Sequence, residues 1–286
     1  MALTIITDSG ADLPLSYFKE NNVILLSLKV QLDDKEYDDL IEIEPSKIYQ
    51  AIREGKIPKT AQVPPNVFED LFTEMAKNNQ DGVYIAFSSG LSGTYSTASM
   101  ILNQVKEDYP DFKLTVIDST CASLGHGLVV MEAVRLVNAG VPKEELVNQV
   151  EFFSHHMESL VSVHDLDYLA RGGRLSKASA FLGGLLNIKP LIHMEEGKLV
   201  PIEKLRGKKK VLSRLIELMK ERGDQLETQI IGISHAESDD TLQDIKAMIE
   251  DTFHPKQIVV TDIGSAIGAH TGPGTIAIFF LNKIPS

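Results

Sequence analysis

The chain has 286 residues, 43% of them apolar, enough to bury one large or two medium cores. A formal net charge of −12 argues against non-specific binding to nucleic acid or to an anionic membrane, since both need a basic face. The one cysteine, Cys121, rules out an intrachain disulfide, no apolar run is long enough to span a bilayer, and residues 1–8 lack a signal-peptide pattern, so a soluble cytoplasmic protein is expected.

Residues 3–7 form a β-branched apolar run that ends in Asp8-Ser9-Gly10, and Pro14 opens a helix; this reads as a buried strand, a polar loop and a helix start. A second strand is expected over 23–30. The acidic stretch 33–44 reads as a solvated loop or edge, followed by a helix from Pro45 to about Gly55. Three prolines hold 58–65 extended around Thr60-Ala61-Gln62, a rigid polar loop, before a helix over 65–78.

A strand over 83–87 then meets the octet Ser88-Ser89-Gly90-Leu91-Ser92-Gly93-Thr94-Tyr95. Ala98, Ile101, Leu102 and Val105 recur at helical spacing behind it. The first turn of that helix offers unpaired N–H groups and positive dipole charge beside several hydroxyls, an arrangement suited to an anion. A further strand over 113–117 ends in Asp118-Ser119, helices follow over 124–138 and 142–157, and the alternation predicts a parallel sheet with ligands outside its carboxyl edge.

The pattern changes near residue 158. A strand over 160–163, a short helix over 165–170, a helix over 176–186 and a hairpin over 189–204 turning at Glu195-Glu196-Gly197-Lys198 are expected next. Helices over 208–222 and 239–252 alternate with strands over 229–234 and 256–263. A glycine-rich loop over 264–274 then carries His270, and a strand over 275–281 closes the sheet. The organisation is α/β with two domains, 1–158 built on a parallel Rossmann-like sheet and 159–286 on a mixed sheet.

Among candidate sites, Gly90-Leu91-Ser92-Gly93-Thr94 falls one residue short of a nucleophile elbow, and Ser92, Asp118 and His270 occur in the order found in α/β-hydrolases. A serine hydrolase is therefore the alternative reading. Arg174 and Arg206, each beside a glycine at an element boundary, are suited to hold a carboxylate or phosphate. No metal-ligand spacing, P-loop or dinucleotide fingerprint is present, so neither metal nor cofactor is expected.

Taken in order, Thr7-Asp8-Ser9, Lys59-Thr60-Ala61-Gln62, the octet, Asp118-Ser119, Asp165-Leu166-Asp167-Tyr168-Leu169 with Gly172-Gly173-Arg174, Lys204-Leu205-Arg206-Gly207 and Gly268-Ala269-His270-Thr271-Gly272-Pro273-Gly274 resemble the DegV family over essentially the whole chain. The resemblance implies a two-domain protein that binds one long-chain fatty acid in a buried tunnel and turns over no substrate itself. It implies presentation of the carboxylate to a fatty acid kinase subunit for phosphorylation to acyl phosphate, with transient membrane contact allowed. Carried over by motif, Thr60, Ser92, Gly93, His270 and Arg206 would hold the carboxylate, and Arg174 would serve kinase docking or phosphotransfer. One departure is that Ala61-Gln62-Val63 stands where the family usually has Ser-Gln-Pro, which removes a hydroxyl.

Overall fold

The structure, a computed structural model, describes residues 3–176 and 188–285. Its first part runs β1 (Thr4–Asp8), α1 (Leu15–Glu20), β2 (Ile24–Leu26), β3 (Lys29–Leu32), β4 (Lys35–Asp38), α2 (Pro45–Arg53), β5 (Lys59–Ala61), α3 (Pro65–Lys77), β6 (Gly82–Ala86), α4 (Thr94–Asp108), β7 (Leu114–Asp118), α5 (Leu124–Asn138) and α6 (Lys143–His156). The second continues through β8 (Met157–Ser162), α7 (Asp167–Arg171), β9 (Ile188–Glu195), β10 (Lys198–Arg206), α8 (Lys208–Arg222), β11 (Ile230–His235), α9 (Asp239–Phe253), β12 (Gln257–Asp262), α10 (Ser265–Thr271) and β13 (Ile276–Leu281). The helix expected over 176–186 lies, apart from Ser176, outside the described residues.

Strands β2, β1, β6 and β7 pair in that order as a parallel sheet, so the loops after Asp8, Ala86 and Asp118 emerge side by side at its carboxyl edge. A six-stranded mixed sheet has the order β10-β9-β8-β13-β11-β12. In it β13 lies between β8 and β11, antiparallel to both, so the strand expected to close the sheet does so from its centre. All six of its residues are buried, as a central apolar strand requires.

The run 23–30 does not make one strand. It breaks at Ser27-Leu28 into β2, which joins the parallel sheet, and β3, which pairs with β4 and β5 in a separate three-stranded antiparallel sheet. The reason is visible in the hydrogen bonding: Ser9 Oγ accepts from the Leu28 N–H at 3.0 Å and Ser27 Oγ donates to the Asp39 carbonyl at 3.1 Å, turning the chain between sheets. Thr60 accordingly sits on a strand, β5, paired with Val30, and not on a free loop.

The two large sheets share α5. Leu124, Leu128, Val129, Val130, Ala133 and Val134 are buried in one core with Ile5, Val83 and Ile85 of the first sheet and Val161, Ala277 and Phe279 of the second. A helix buried on most of its circumference must be apolar nearly all round, which is how its sequence reads. Gly125 lets it close on the second sheet, because a Cβ there would meet Phe279 Cδ1 at 2.7 Å. The predicted face of α4, Ala98, Ile101, Leu102 and Val105, packs in a second core with Phe68, Phe72 and Met75 of α3, while α8 and α9 cover the far face of the mixed sheet. Among the described residues no helix is long and apolar enough to cross a membrane.

Candidate functional site

The carboxyl edge of the parallel sheet is tied together by buried polar groups. Asp8 accepts from Tyr84 Oη at 2.8 Å, from the Phe87 N–H at 2.8 Å and from the Gly10 N–H at 3.1 Å. Burial raises its pKa above the ordinary carboxylate value, with His126 and these donors opposing the rise. Asp118 Oδ1 accepts from the N–H groups of Ser89 and Thr120 at 3.1 and 3.0 Å. Ser88 Oγ donates to the Gly197 carbonyl at 2.7 Å, so the tip of the β9–β10 hairpin closes over the octet. Gly90 is needed there, since its Cβ would lie 2.3 Å from the Gly197 oxygen.

Beneath this edge is a cavity of about 180 Å³ between the two large sheets. Apolar side chains from both make its body, including Phe87, Leu91, Val161, Leu169, Leu199, Ala277 and Phe279. One end is polar: Thr60, Gln62, Ser92, Gly93, Arg174 and His270 all line it, brought from β5, the octet, the segment after α7, and α10. Thr60 Oγ1 and His270 Nε2 are 2.7 Å apart, and Ser92 Oγ lies 2.8 Å from Thr94 Oγ1. Arg174 donates through Nε to the Leu91 carbonyl at 3.2 Å and through Nη1 to the Gly172 carbonyl at 2.6 Å, which fixes the guanidinium at the same end.

His270 is held from behind. The segment expected as a glycine-rich loop contains α10, and His270 occupies its last turn, with Gly272 at φ 71° ending the helix. Gly172 presses on the imidazole so closely that a Cβ on it would lie 2.2 Å from Nδ1. Burial pushes the His270 pKa down to about 4, and the charge of Arg174 adds to the shift, so the ring is neutral at physiological pH. The cationic charge at this end of the cavity is that of Arg174.

Asp39 anchors the start of α10. Its Oδ1 accepts from the Ala266 N–H at 3.1 Å, and burial pushes its pKa up to about 6. The acidic stretch 33–44 thus contains one fully buried carboxylate among exposed or half-buried ones. Nothing in its charge pattern separates Asp39 from Asp38 or Glu42, because only the turn from β2 to β3 carries it inward.

Arg206 is not brought to the cluster. It is exposed at the end of β10, opposite Ile188, whereas Lys198 and Leu199 at the start of the strand are the part near the octet and the cavity. The residue expected to serve an external partner, Arg174, is the arginine that lines the cavity. Gln62 and Gly172 are site residues whose roles single motifs did not reveal. Gln62 Nε2 donates to Thr97 Oγ1 at 2.7 Å, and its Oε1 would lie 2.2 Å from a Cβ on Gly93.

The hydrolase triad is not assembled. His270 meets Thr60, Ser92 meets Thr94, and the Asp118 oxygen is committed to two backbone N–H groups, so no hydrogen bond joins the three among the described residues. Among the described residues no cluster of His, Cys, Asp and Glu could hold a metal ion.

Comparison with known proteins gives a consistent family. A model described as "Uncharacterised protein, DegV family" matches residues 2–283. A DegV domain-containing protein of Clostridium perfringens is 37% identical over 97% of this chain and 96% of its own, and one of Caldanaerobacter subterraneus is 33% identical over 98% and 99%. Among solved structures, a DegV family protein from Thermus thermophilus described by its fatty acid binding superposes with a TM-score of 0.89 at 30% identity, covering 98% of this chain and 99% of that one. DegV from Bacillus subtilis, described as a fatty acid binding protein, gives a TM-score of 0.84 at 28% identity and 98% coverage of both chains. With family match, relatives and fold in agreement along its whole length, the chain belongs to the DegV family.

Proposed function

We propose that the protein binds one long-chain fatty acid, with the acyl chain along the apolar walls and the carboxylate at Thr60, Ser92, Gly93, Arg174 and His270, and presents that carboxylate to a separate kinase subunit for conversion to acyl phosphate. The observation that carries the reading is the amphiphilic cavity itself, in which hydroxyl, imidazole and guanidinium groups from distant segments converge on one end of a largely apolar space. A carboxylate removed from water needs charge-assisted donors, and Arg174 supplies the charge while neutral His270 and the hydroxyls supply further hydrogen bonds. Gly93 is the N-cap of the 15-residue helix α4, so the positive end of that helix adds to the donors beside Ser92, and its missing side chain makes room for Gln62 Oε1. The two relatives described as fatty acid binding support the same ligand class.

Presentation is supported by where the polar end opens. Thr60, Arg174 and His270 also line an outer cleft with Lys59, Arg171 and Gly172, so a carboxylate held by them lies next to a basic, accessible recess. Arg206 is left out of the carboxylate set because of its place on β10. Natively purified protein, denatured and extracted, should release about one long-chain fatty acid per chain by mass spectrometry; protein that releases none and binds none when offered oleate refutes the reading. With ATP, a cell extract and hydroxylamine as trap, acyl hydroxamate should form from the loaded protein faster than from free fatty acid. Equal rates would remove the kinase step and leave binding intact.

A further inference from the structure

The hydroxyls near the polar end of the cavity have partners: Thr60 meets His270, Ser92 meets Thr94, and Thr275 Oγ1 donates toward the carbonyls of Thr271 and Gly272 at 3.0 and 2.9 Å. Deeper in, Ser123 Oγ donates to Asp12 Oδ2 at 2.5 Å and lies 3.0 Å from Ser234 Oγ. Ser159 is different. It lines the cavity from β8, is 1% exposed, and its Oγ has no hydrogen-bond partner among the described residues. The strand ladder with β13 takes up backbone groups around it, and the cavity walls beside it, Val161, Ala277 and Phe279, are apolar.

A buried hydroxyl without a partner is costly, and a water in such a place needs two to four polar neighbours to stay. An alanine would fill the same position without that cost. The hydroxyl becomes favourable when the occupant of the cavity brings its own polar atom to it. Register places that atom. Ile276, which follows α10 and Thr275, pairs with Ser162, and Phe279 pairs with Ser159. Ser159 is therefore three residues, about 10 Å at roughly 3.4 Å per residue, along the sheet from the end nearest His270.

We infer that the preferred ligand is a long-chain fatty acid bearing an oxygen function, hydroxyl or oxo, near the middle of its chain, and that Ser159 Oγ hydrogen-bonds it. This rests on the fatty-acid reading and narrows its substrate class. A substituent at the second or third carbon lies too close to the carboxylate to reach Ser159, whereas one near the tenth or twelfth is within range.

The test is a calorimetric competition series on delipidated protein with stearate, 3-hydroxystearate, 10-hydroxystearate, 12-hydroxystearate and 10-oxostearate, for wild type, Ser159→Ala and Ser159→Cys. In wild type the 10- or 12-substituted acids should bind at least fivefold tighter than 3-hydroxystearate. In Ser159→Ala that advantage should disappear, the ratio to 3-hydroxystearate falling to about one, while stearate binds as well or better, and Ser159→Cys, with a weak donor of similar size, should lie between. A preference that is absent in wild type, or that survives in Ser159→Ala, overturns the assignment. If stearate binds and only the preference fails, this inference falls alone; if no fatty acid binds wild type, the functional reading falls and takes this one with it.

Discussion

Gly172→Ala isolates the support of His270 from the rest of the fold. Gly172 has φ −72° and ψ −11°, right-handed helical values that alanine adopts readily, so the backbone at the end of α7 should tolerate the change or gain from it. The added Cβ would lie 2.2 Å from His270 Nδ1 and 3.0 Å from Cε1. To reach ordinary contact the imidazole must retreat by about 1 Å, toward or past Thr60, whose Oγ1 is 2.7 Å from Nε2. Disrupting a buried hydrogen bond so that its groups are left unpaired costs about 1–3 kcal/mol, which is roughly a tenfold to hundredfold loss of affinity if the pair faces the carboxylate. Oleate binding by calorimetry, with thermal unfolding as control, should show weaker binding and a melting temperature lowered by only a few degrees, about 2–4 °C per kcal/mol lost. The decisive measurement is the double variant: if Gly172 acts through His270, adding Gly172→Ala to His270→Ala changes nothing further. Unchanged oleate affinity in the single variant, or an undiminished loss in the His270→Ala background, would refute the reasoning.

Three further outcomes follow from the same geometry. Arg174→Ala should raise the His270 pKa from about 4, because the arginine charge is the second cause of its depression after burial, and should weaken oleate binding about tenfold or more; imidazole titration by NMR and calorimetry check the two effects. Asp39→Asn concerns stability. With its pKa raised to about 6, Asp39 takes up a proton on folding between about pH 4 and 6, so its contribution to stability is present at low pH and lost as pH rises through 6. The asparagine should therefore be more stable than wild type by about 2–3 kcal/mol at pH 8, with the difference closing toward pH 4. His270 has the opposite sign, since a depressed histidine loses stability as pH falls from 6.5 to about 4, but it is common to both proteins and cancels in the difference. A less stable Asp39→Asn at pH 8 would contradict the burial argument. Ser92 should not react with a fluorophosphonate probe, because neither His270 nor Asp118 is bonded to it; specific labelling lost in Ser92→Ala would restore the hydrolase reading.

Periodicity placed α4 and α5 well because a helix with one buried face, or with nearly all faces buried, writes its spacing directly into the chain. The errors occur where tertiary contacts overrule local pattern. Residues 23–30 are uniformly strand-like, and nothing local indicates that Ser9 Oγ, 19 residues upstream of Leu28, would capture its N–H and split the run between two sheets. The segment 264–274 is glycine-rich, which reads as loop. Asp39, 227 residues away from Ala266, accepts an N–H from the start of a seven-residue helix there, supporting a helix that its glycines alone would not. The separation in sequence is the reason such contacts are illegible in a single chain.

The same distinction explains the exchange between the two arginines. Arg174 and Arg206 both adjoin a glycine at the end of an element, so residue type and neighbourhood score them alike. Their positions differ through strand direction. The β9–β10 hairpin presents its turn to the octet through the contact of Ser88 with Gly197, and Arg206, eight residues after Lys198 on an antiparallel pair, is thereby carried about 27 Å from that tip. Arg174 follows the short helix α7, whose return toward the octet is set by the Leu91 carbonyl and by Gly172 pressed against His270. The guanidinium and the imidazole thus depend on one another through Gly172: Arg174 depresses the histidine, and the neutral ring leaves Arg174 as the charge facing an incoming anion. An anion bound between them would favour the imidazolium and so reverse part of that depression, coupling ligand binding to proton uptake below neutral pH. A site of this kind would gain affinity from donors whose protonation adjusts to the ligand.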